Sequence, residues 1–343
     1  MFRRFFVPLD GSSRAEKAIP VAATLARNSA GTVILARVVA PPIIDEYSTY
    51  AGNEAHFIQK QKSTEARIYL DEVMERYDQV LAGLHLIVEV VAGAEAISAS
   101  ILSLAKQEHT DLIVMCSRGD THLKRWIFGS VAQTTMRHSS LPILALNDHG
   151  SSPAIENPVR PLQVLVALDG SEFSEEVLRP LCQLLLLFPT NGPHKLHLLQ
   201  VVTLPPTFGN YRSGAYVTDV LQQDERKRAL QYLQDVAHKI SDWVGEKTTI
   251  AVTTQAVISP DVASVALEQA KETQCDLIAL ATHGRSGIKR ALLGSVTEHI
   301  FGTTLLPLFV VCPPAMQAEQ KSEQPEVPFN QAAPIEQGPV GLL

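Results

Sequence analysis

Val7-Pro8-Leu9-Asp10-Gly11-Ser12 returns later in the chain as Val166-Ala167-Leu168-Asp169-Gly170-Ser171, an offset of 169 − 10 = 159 residues. Asp111-Leu112-Ile113-Val114-Met115 returns as Asp276-Leu277-Ile278-Ala279-Leu280, and Gly129-Ser130-Val131 as Gly294-Ser295-Val296, both at an offset of 165 (276 − 111 and 294 − 129). Three matches in the same order mean that one folding unit occurs twice. The 343 residues suit two domains of ordinary size. The expected division is 1–147 for the first domain, 148–161 for a linker holding Gly150, Pro153 and Pro158, 162–313 for the second domain, and 314–343 for a disordered tail rich in Pro, Gln and Glu.

Within each half, short apolar and β-branched runs alternate with longer stretches of helical period, the pattern of a parallel sheet with crossover helices. Strands are expected near 4–9, 32–39, 85–91, 111–115 and 142–146, and again near 162–168, 195–202, 249–257, 276–280 and 307–311. Ala15, Ile19, Ala22 and Ala26 mark the inner face of a first helix, Ile58, Ile68, Val73 and Tyr77 that of a second, and Ile97, Ile101, Leu104 and Ala105 that of a third. Pro20 is expected to kink the first helix. A long helix is expected over 218–243. Strands as apolar as Asp111 to Met115 belong in a sheet covered on both faces, so the fold class is α/β, two tandem doubly wound domains with five parallel strands each.

Composition removes several function classes. The net charge of −7, from 29 Lys+Arg against 36 Asp+Glu, and the lack of a basic run oppose nucleic acid as a partner. The apolar run Leu181 to Phe188 is far short of the roughly 20 residues that span a bilayer, so no membrane partner is expected. Cys116, Cys182, Cys275 and Cys312 show neither Cys-x-x-Cys pairs nor histidines at zinc spacing, and are expected as buried thiols in a reducing, cytoplasmic setting.

Chemistry is expected where strand order reverses, outside the carboxyl ends of the strands. There the second half reads Ala281-Thr282-His283-Gly284, nine residues, then Gly294-Ser295-Val296; the first reads Cys116-Ser117-Arg118-Gly119, nine residues, then Gly129-Ser130-Val131. Glycine lets backbone N–H groups approach a phosphate, and a helix opening at the serine adds the positive end of its dipole. The glycines also suit plain turns, and Asp10 and Asp169 also suit caps on the helix that follows; both uses are compatible with ligand contact.

In these features the chain resembles the universal stress protein family, whose ATP-binding members show Gly-x-x-Gly, nine residues, then Gly followed by Ser or Thr. The resemblance runs through both halves. It implies a Rossmann-like fold of the adenine nucleotide alpha hydrolase type, with Asp10 and Asp169 beside the nucleoside. It also implies Pro8 and Ala167 at the strand end, Val38 and Val201 meeting adenine through their backbone, and the glycine loops holding the phosphates. Magnesium would be held by phosphates and water, with no protein metal site. Both copies replace the first glycine of the pattern, by Cys116 and by Ala281, and the larger sulfur should crowd the first site more. Asp120 adds a like charge there, which Arg118 offsets in part, whereas His283 and Arg285 lie in the second loop. ATP is therefore expected to bind more tightly in the second domain.

The implied function is an ATP-binding regulatory module of a stress response with little or no turnover and no assigned catalytic residue. Alternatives are a stress protein that acts only through protein contacts, or a slow ATPase. No Gly-x-x-x-x-Gly-Lys-Ser/Thr loop and no Ser-Gly-Gly-x-Asp-Ser loop is present to support fast ATP chemistry. The fifth strands, Pro142 to Leu146 and Pro307 to Val311, are apolar edges that need cover, and are expected to pair within the chain as a pseudo-twofold unit. Assembly into a homodimer and an unknown protein partner are left open.

Overall fold

Phe5, Phe6 and Val7 are wholly buried, as are Leu112, Ile113 and Val114. Strands apolar on both faces require helices above and below them. The computed structural model describes residues 1–41, 51–93, 96–116, 129–147, 155, 160–188, 190–204, 215–245, 250–282 and 294–312, with the backbone alone for 51–55 and 215–219. The strands are β1 (Arg4–Leu9), β2 (Thr32–Val39), β3 (His85–Ala92), β4 (Leu112–Cys116), β5 (Ile143–Leu146), β6 (Gln163–Leu168), β7 (His194–Val202), β8 (Ile250–Ile258), β9 (Leu277–Ala281) and β10 (Leu308–Val311). The helices are α1 (Ala18–Ser29), α2 (Ala51–Arg76), α3 (Asp78–Leu81), α4 (Ile97–Gln107), α5 (Ser130–His138), α6 (Glu172–Glu175), α7 (Leu178–Leu185), α8 (Ala215–Val244), α9 (Val262–Glu272) and α10 (Ser295–Thr303).

All ten strands form one sheet in the order β3-β2-β1-β4-β5-β10-β9-β6-β7-β8. Each half is parallel, and the halves meet at one antiparallel pair, Leu308 opposite Ala145, Phe309 opposite Leu144 and Val310 opposite Ile143. The expected pairing of the two fifth strands within the chain is thus realised. On one face, residues of α1, α2, α7 and α8 share a single buried cluster that runs through both halves. On the other face, α4, α5, α9 and α10 pack over a second cluster, also shared.

The Asp-Leu-Ile repeat has a structural cause. Asp111 Oδ2 accepts the backbone N–H groups of Arg3 at 2.7 Å and Arg4 at 2.9 Å, and Asp276 Oδ2 accepts that of Gln163 at 2.9 Å. Arg160 adds a bidentate pair to Asp276, at 3.0 and 2.5 Å. Each aspartate, placed just before β4 or β9, therefore pins the start of the neighbouring first strand.

Two expectations need correction. Ile58 and Ile68 of α2 are exposed, at 41% and 54%, and the buried face is Ala66, Leu70 and Val73, with Tyr77 partly covered. Ile68 lies about 200° around the helix from Ala66, at 100° per residue, so it faces away from the sheet. Pro20 stands in the first turn of α1, where its missing N–H has no partner to lose, and a short 3-10 turn over Ala15–Lys17 precedes the helix. Pro180 holds the same third position in α7. Each proline therefore marks a helix start and interrupts no helix interior.

Candidate functional site

The Asp-Gly-Ser repeat closes the carboxyl ends of β1 and β6 with the same turn. Asp10 Oδ1 accepts from Ser12 N at 2.9 Å and Ser12 Oγ at 2.5 Å; Asp169 Oδ1 accepts from Ser171 N at 2.9 Å and Ser171 Oγ at 2.6 Å. The serine hydroxyls accept in turn from Ala15 N and Ser174 N, each at 3.2 Å, which in the second half caps α6. Gly11 and Gly170 have φ of 88° and 85°, a left-handed backbone that suits glycine. The turn holds each aspartate at the end of its first strand by bonds that use Oδ1.

Across the crevice, α5 and α10 both open on an extended glycine cap, Gly129 and Gly294, with no side-chain capping bond. Ser130 and Val131, and Ser295 and Val296, form the first turns, where backbone N–H groups have no intrahelical acceptor. Gly294 N donates to Thr282 O at 2.9 Å, and a Cβ at Gly294 would stand 3.2 Å from that oxygen. This close approach ties the start of α10 to the end of β9. Thr282 N donates to Val311 O at 2.9 Å, so the same point is fixed to β10.

Of the other expected residues, Pro8 and Ala167 are partly covered near the ends of β1 and β6, and Val38 and Val201 lie next to last on β2 and β7. Gly93 N and Ser259 N donate to Val39 O and Val202 O, so these two residues are structural equivalents. Cys116 and Ala281 end β4 and β9, exposed by 7% and 9%. Cys116 belongs to the cluster under α1 and α2, whereas α5 packs on the opposite face, so the sulfur is buried on the side away from the Gly129 helix. The crowding expected from that sulfur therefore falls on the core. Arg118, Gly119, Asp120, His283, Gly284 and Arg285 lie outside the described residues.

A second duplicated cluster escaped the sequence reading. Glu16, 3% exposed, accepts from the Tyr69 hydroxyl at 3.1 Å and from Arg76 at 2.6 Å. In the second half Lys239 donates to Glu175 at 2.8 Å, and Tyr232 lies near Glu175 and Asp169. Burial pushes both tyrosine hydroxyls well above the ordinary phenol range, and the nearby glutamates push the same way. The signal was present in the repeat: Glu16 and Glu175 share the 159 offset, and tyrosine precedes the basic residue by seven positions in both helices.

Arg37 completes the first cluster. Its Nη1 donates to Leu9 O at 3.2 Å, and its Cζ lies 5.9 Å from the Tyr69 ring centre. Burial lowers its pKa, while the charge of Asp10 opposes that shift. Leu9 pairs with Arg37 in the sheet, and Leu168 pairs with Gln200, so Gln200 is its counterpart.

All four cysteines are buried and none forms a disulfide. Burial raises the Cys182 and Cys275 thiols to about 11, which leaves them protonated at neutral pH. Among the described residues no group of three His, Cys, Asp or Glu side chains could hold a metal, and no helix is long and apolar enough to cross a membrane. A cavity of about 370 Å³ opens between α8 and the end of β8, lined by Gln222, Gln223, Arg226, Ala256, Val257 and Ile258. None of the expected site residues lines it, although Val257 is the register partner of Val201.

Comparison with known proteins gives a consistent result. The model of the universal stress protein family matches twice, over residues 1–147 and 162–312. A universal stress protein of Mycolicibacterium smegmatis is 25% identical over 317 residues, covering 90% of this chain and 96% of its own. Among solved structures, a universal stress protein from Archaeoglobus fulgidus superposes with a TM-score of 0.60 at 16% identity, over 90% of this chain and 98% of its own. One from Pseudomonas aeruginosa, described as a putative member, gives 0.58 at 13% identity, over 94% and 98%. These two structures speak to the fold alone.

Proposed function

The chain belongs to the universal stress protein family, once in each half, and from that premise we propose that it is an ATP-binding regulatory protein with little or no turnover. The observation that carries this reading is the paired opening of α5 and α10 on bare glycine caps, beside first strands that end in Asp10 and Asp169. Uncapped N–H groups at a helix start suit phosphate oxygens, and an aspartate suits the hydroxyl donors of a ribose.

The residues fit the group. Gly294-Ser295-Val296 would meet the phosphates, Asp169 the nucleoside and the backbone of Val201 the base, with Gly129-Ser130-Val131, Asp10 and Val38 at the corresponding positions of the first half. The backbone at Pro8, Ala167, Cys116 and Ala281, with Arg118, Gly119, His283 and Gly284 of the loops, would complete the walls. ATP would bring its own Mg²⁺, held by phosphates and water. The chain's residues position and enclose the nucleotide; no described group stands in the role of a base for an attacking water. Occupancy would then act through differential affinity for two states of the partner surface.

The first measurement is equilibrium dialysis of the full chain against labelled ATP with Mg²⁺, together with phosphate release over hours. Saturable binding with turnover below one event per minute supports the proposal. Absence of binding would leave a protein that acts through contacts alone, and sustained turnover would make it an enzyme.

A further inference from the structure

The duplicated surroundings of Asp10 and Asp169 share their turn, a tyrosine and a nearby glutamate, and at one register position they differ in charge. That position holds a cation in the first half and a neutral amide in the second, Arg37 and Gln200. The Arg37 guanidinium reaches from Leu9 O to the Asp-Gly turn, where its Nη2 would stand 3.3 Å from a Cβ on Gly11. A guanidinium offers five donors and no acceptor, and its charge offsets that of the neighbouring Asp10.

Gln200 presents the opposite chemistry. It is 6% exposed, and its Oε1 has no hydrogen-bond partner among the described residues. A buried amide oxygen left without a donor is costly, so this is a place where an incoming N–H or O–H is rewarded. Next to the carboxyl end of β6 the second half therefore holds the acceptors Asp169 and, in register with Leu168, Gln200, whereas the first half sets the Arg37 donors beside Asp10. A nucleoside meets such a wall with the donors of its ribose hydroxyls and its exocyclic amine.

We infer that Arg37 and Gln200 decide which crevice accepts an adenine nucleoside: Gln200 admits it to the second half, and Arg37 excludes it from the first. This rests on the nucleotide-binding reading above and assigns one nucleotide to each chain. The first half keeps the scaffold of the site with its recognition face inverted.

The test is calorimetric titration of the full chain with Mg-ATP, each variant first checked for a native melting transition. Wild type should take one equivalent. Arg37→Gln should take two, Arg37→Lys should remain at one, and Gln200→Leu, which removes the acceptor without adding charge, should weaken the single site about tenfold, the loss expected for one hydrogen bond to a buried group. Two equivalents in wild type, or one in a natively folded Arg37→Gln, would overturn the inference while leaving the nucleotide reading intact. No binding by wild type and by Arg37→Gln would overturn that reading itself.

Discussion

Asn28 Nδ2 donates to the backbone oxygen of Leu187 at 2.8 Å, and the two residues are 159 positions apart, the offset that relates Asp10 to Asp169. A residue thus touches its own counterpart, as happens at the axis of a twofold interface. The halves are also joined where Asn147 donates to Thr304 O at 2.8 Å and, on the other face of the sheet, where Arg137 pairs with Glu298 at 2.7 Å. That ion pair is partly exposed on both sides and adds little stability. The junction is held mainly by apolar burial and the β5–β10 ladder.

Phe309 is wholly buried at the seam, opposite Leu144. Phe309→Ala should lower unfolding free energy by about 3–5 kcal/mol, through lost burial and a residual cavity. Denaturant unfolding followed by circular dichroism checks this. A loss below 1 kcal/mol would mean that the halves do not depend on their shared core.

Asp111→Ala should cost about 1–3 kcal/mol, because the N–H groups of Arg3 and Arg4 lose their acceptor. Asp276→Ala should act similarly through Gln163 and Arg160. Thermal melts measure both losses. Nucleotide affinity of the folded fraction should be unchanged, since these carboxylates lie at the opposite ends of the strands from the crevices.

Acid should weaken the second half through His194. Leu162 N donates to its Nδ1 at 3.0 Å, and its Nε2 bonds Phe188 O at 3.1 Å, so the ring is neutral in the fold. Burial lowers its pKa, and that of His197 is lowered by burial and by Lys195. The unfolded chain, with ordinary histidines near 6.5, takes up protons first as pH falls. Stability should be full above about pH 6.5 and decline below it, so the melting midpoint at pH 5 should lie below that at pH 7.5. His194→Asn should melt lower at neutral pH but with a flatter acid slope; an unchanged slope would remove His194 as its source.

Ser295→Glu places a carboxylate in the first turn of α10. The helix itself tolerates or favours that charge. A bound phosphate 4 Å away would be repelled by about 1 kcal/mol even at the dielectric of water. ATP affinity should therefore fall about fivefold or more without a lower melting point. Unaltered affinity would place the triphosphate elsewhere.

The sheet was legible because its strands are apolar runs whose ends coincide with turn residues, and Arg4–Leu9 and Thr32–Val39 match their expected ranges. The seam was legible too, since two short apolar edges in one chain have an obvious way to cover each other. The outer helices were less so: Ile58 and Ile68 carry apolar side chains on a face that the fold leaves in solvent. Glu16, Arg37, Tyr69 and Arg76 were not legible as a cluster because they come from three separate stretches of chain and meet only through packing. The capping expected of Asp10 and Asp169 falls instead to the serines, since Ser171 caps α6 and each aspartate only fixes its serine in the turn, while the expectation of ligand contact stays with the proposal.

The antiparallel seam also changes what evolution can do with the pair. Where two identical subunits meet, every substitution is written into both, and neither can specialise without its twin. Here one copy of each kind is tethered to the other at a concentration that dilution cannot lower. The lineage is free to retune one member, as at Arg37 and Gln200, while the partnership itself is inherited intact.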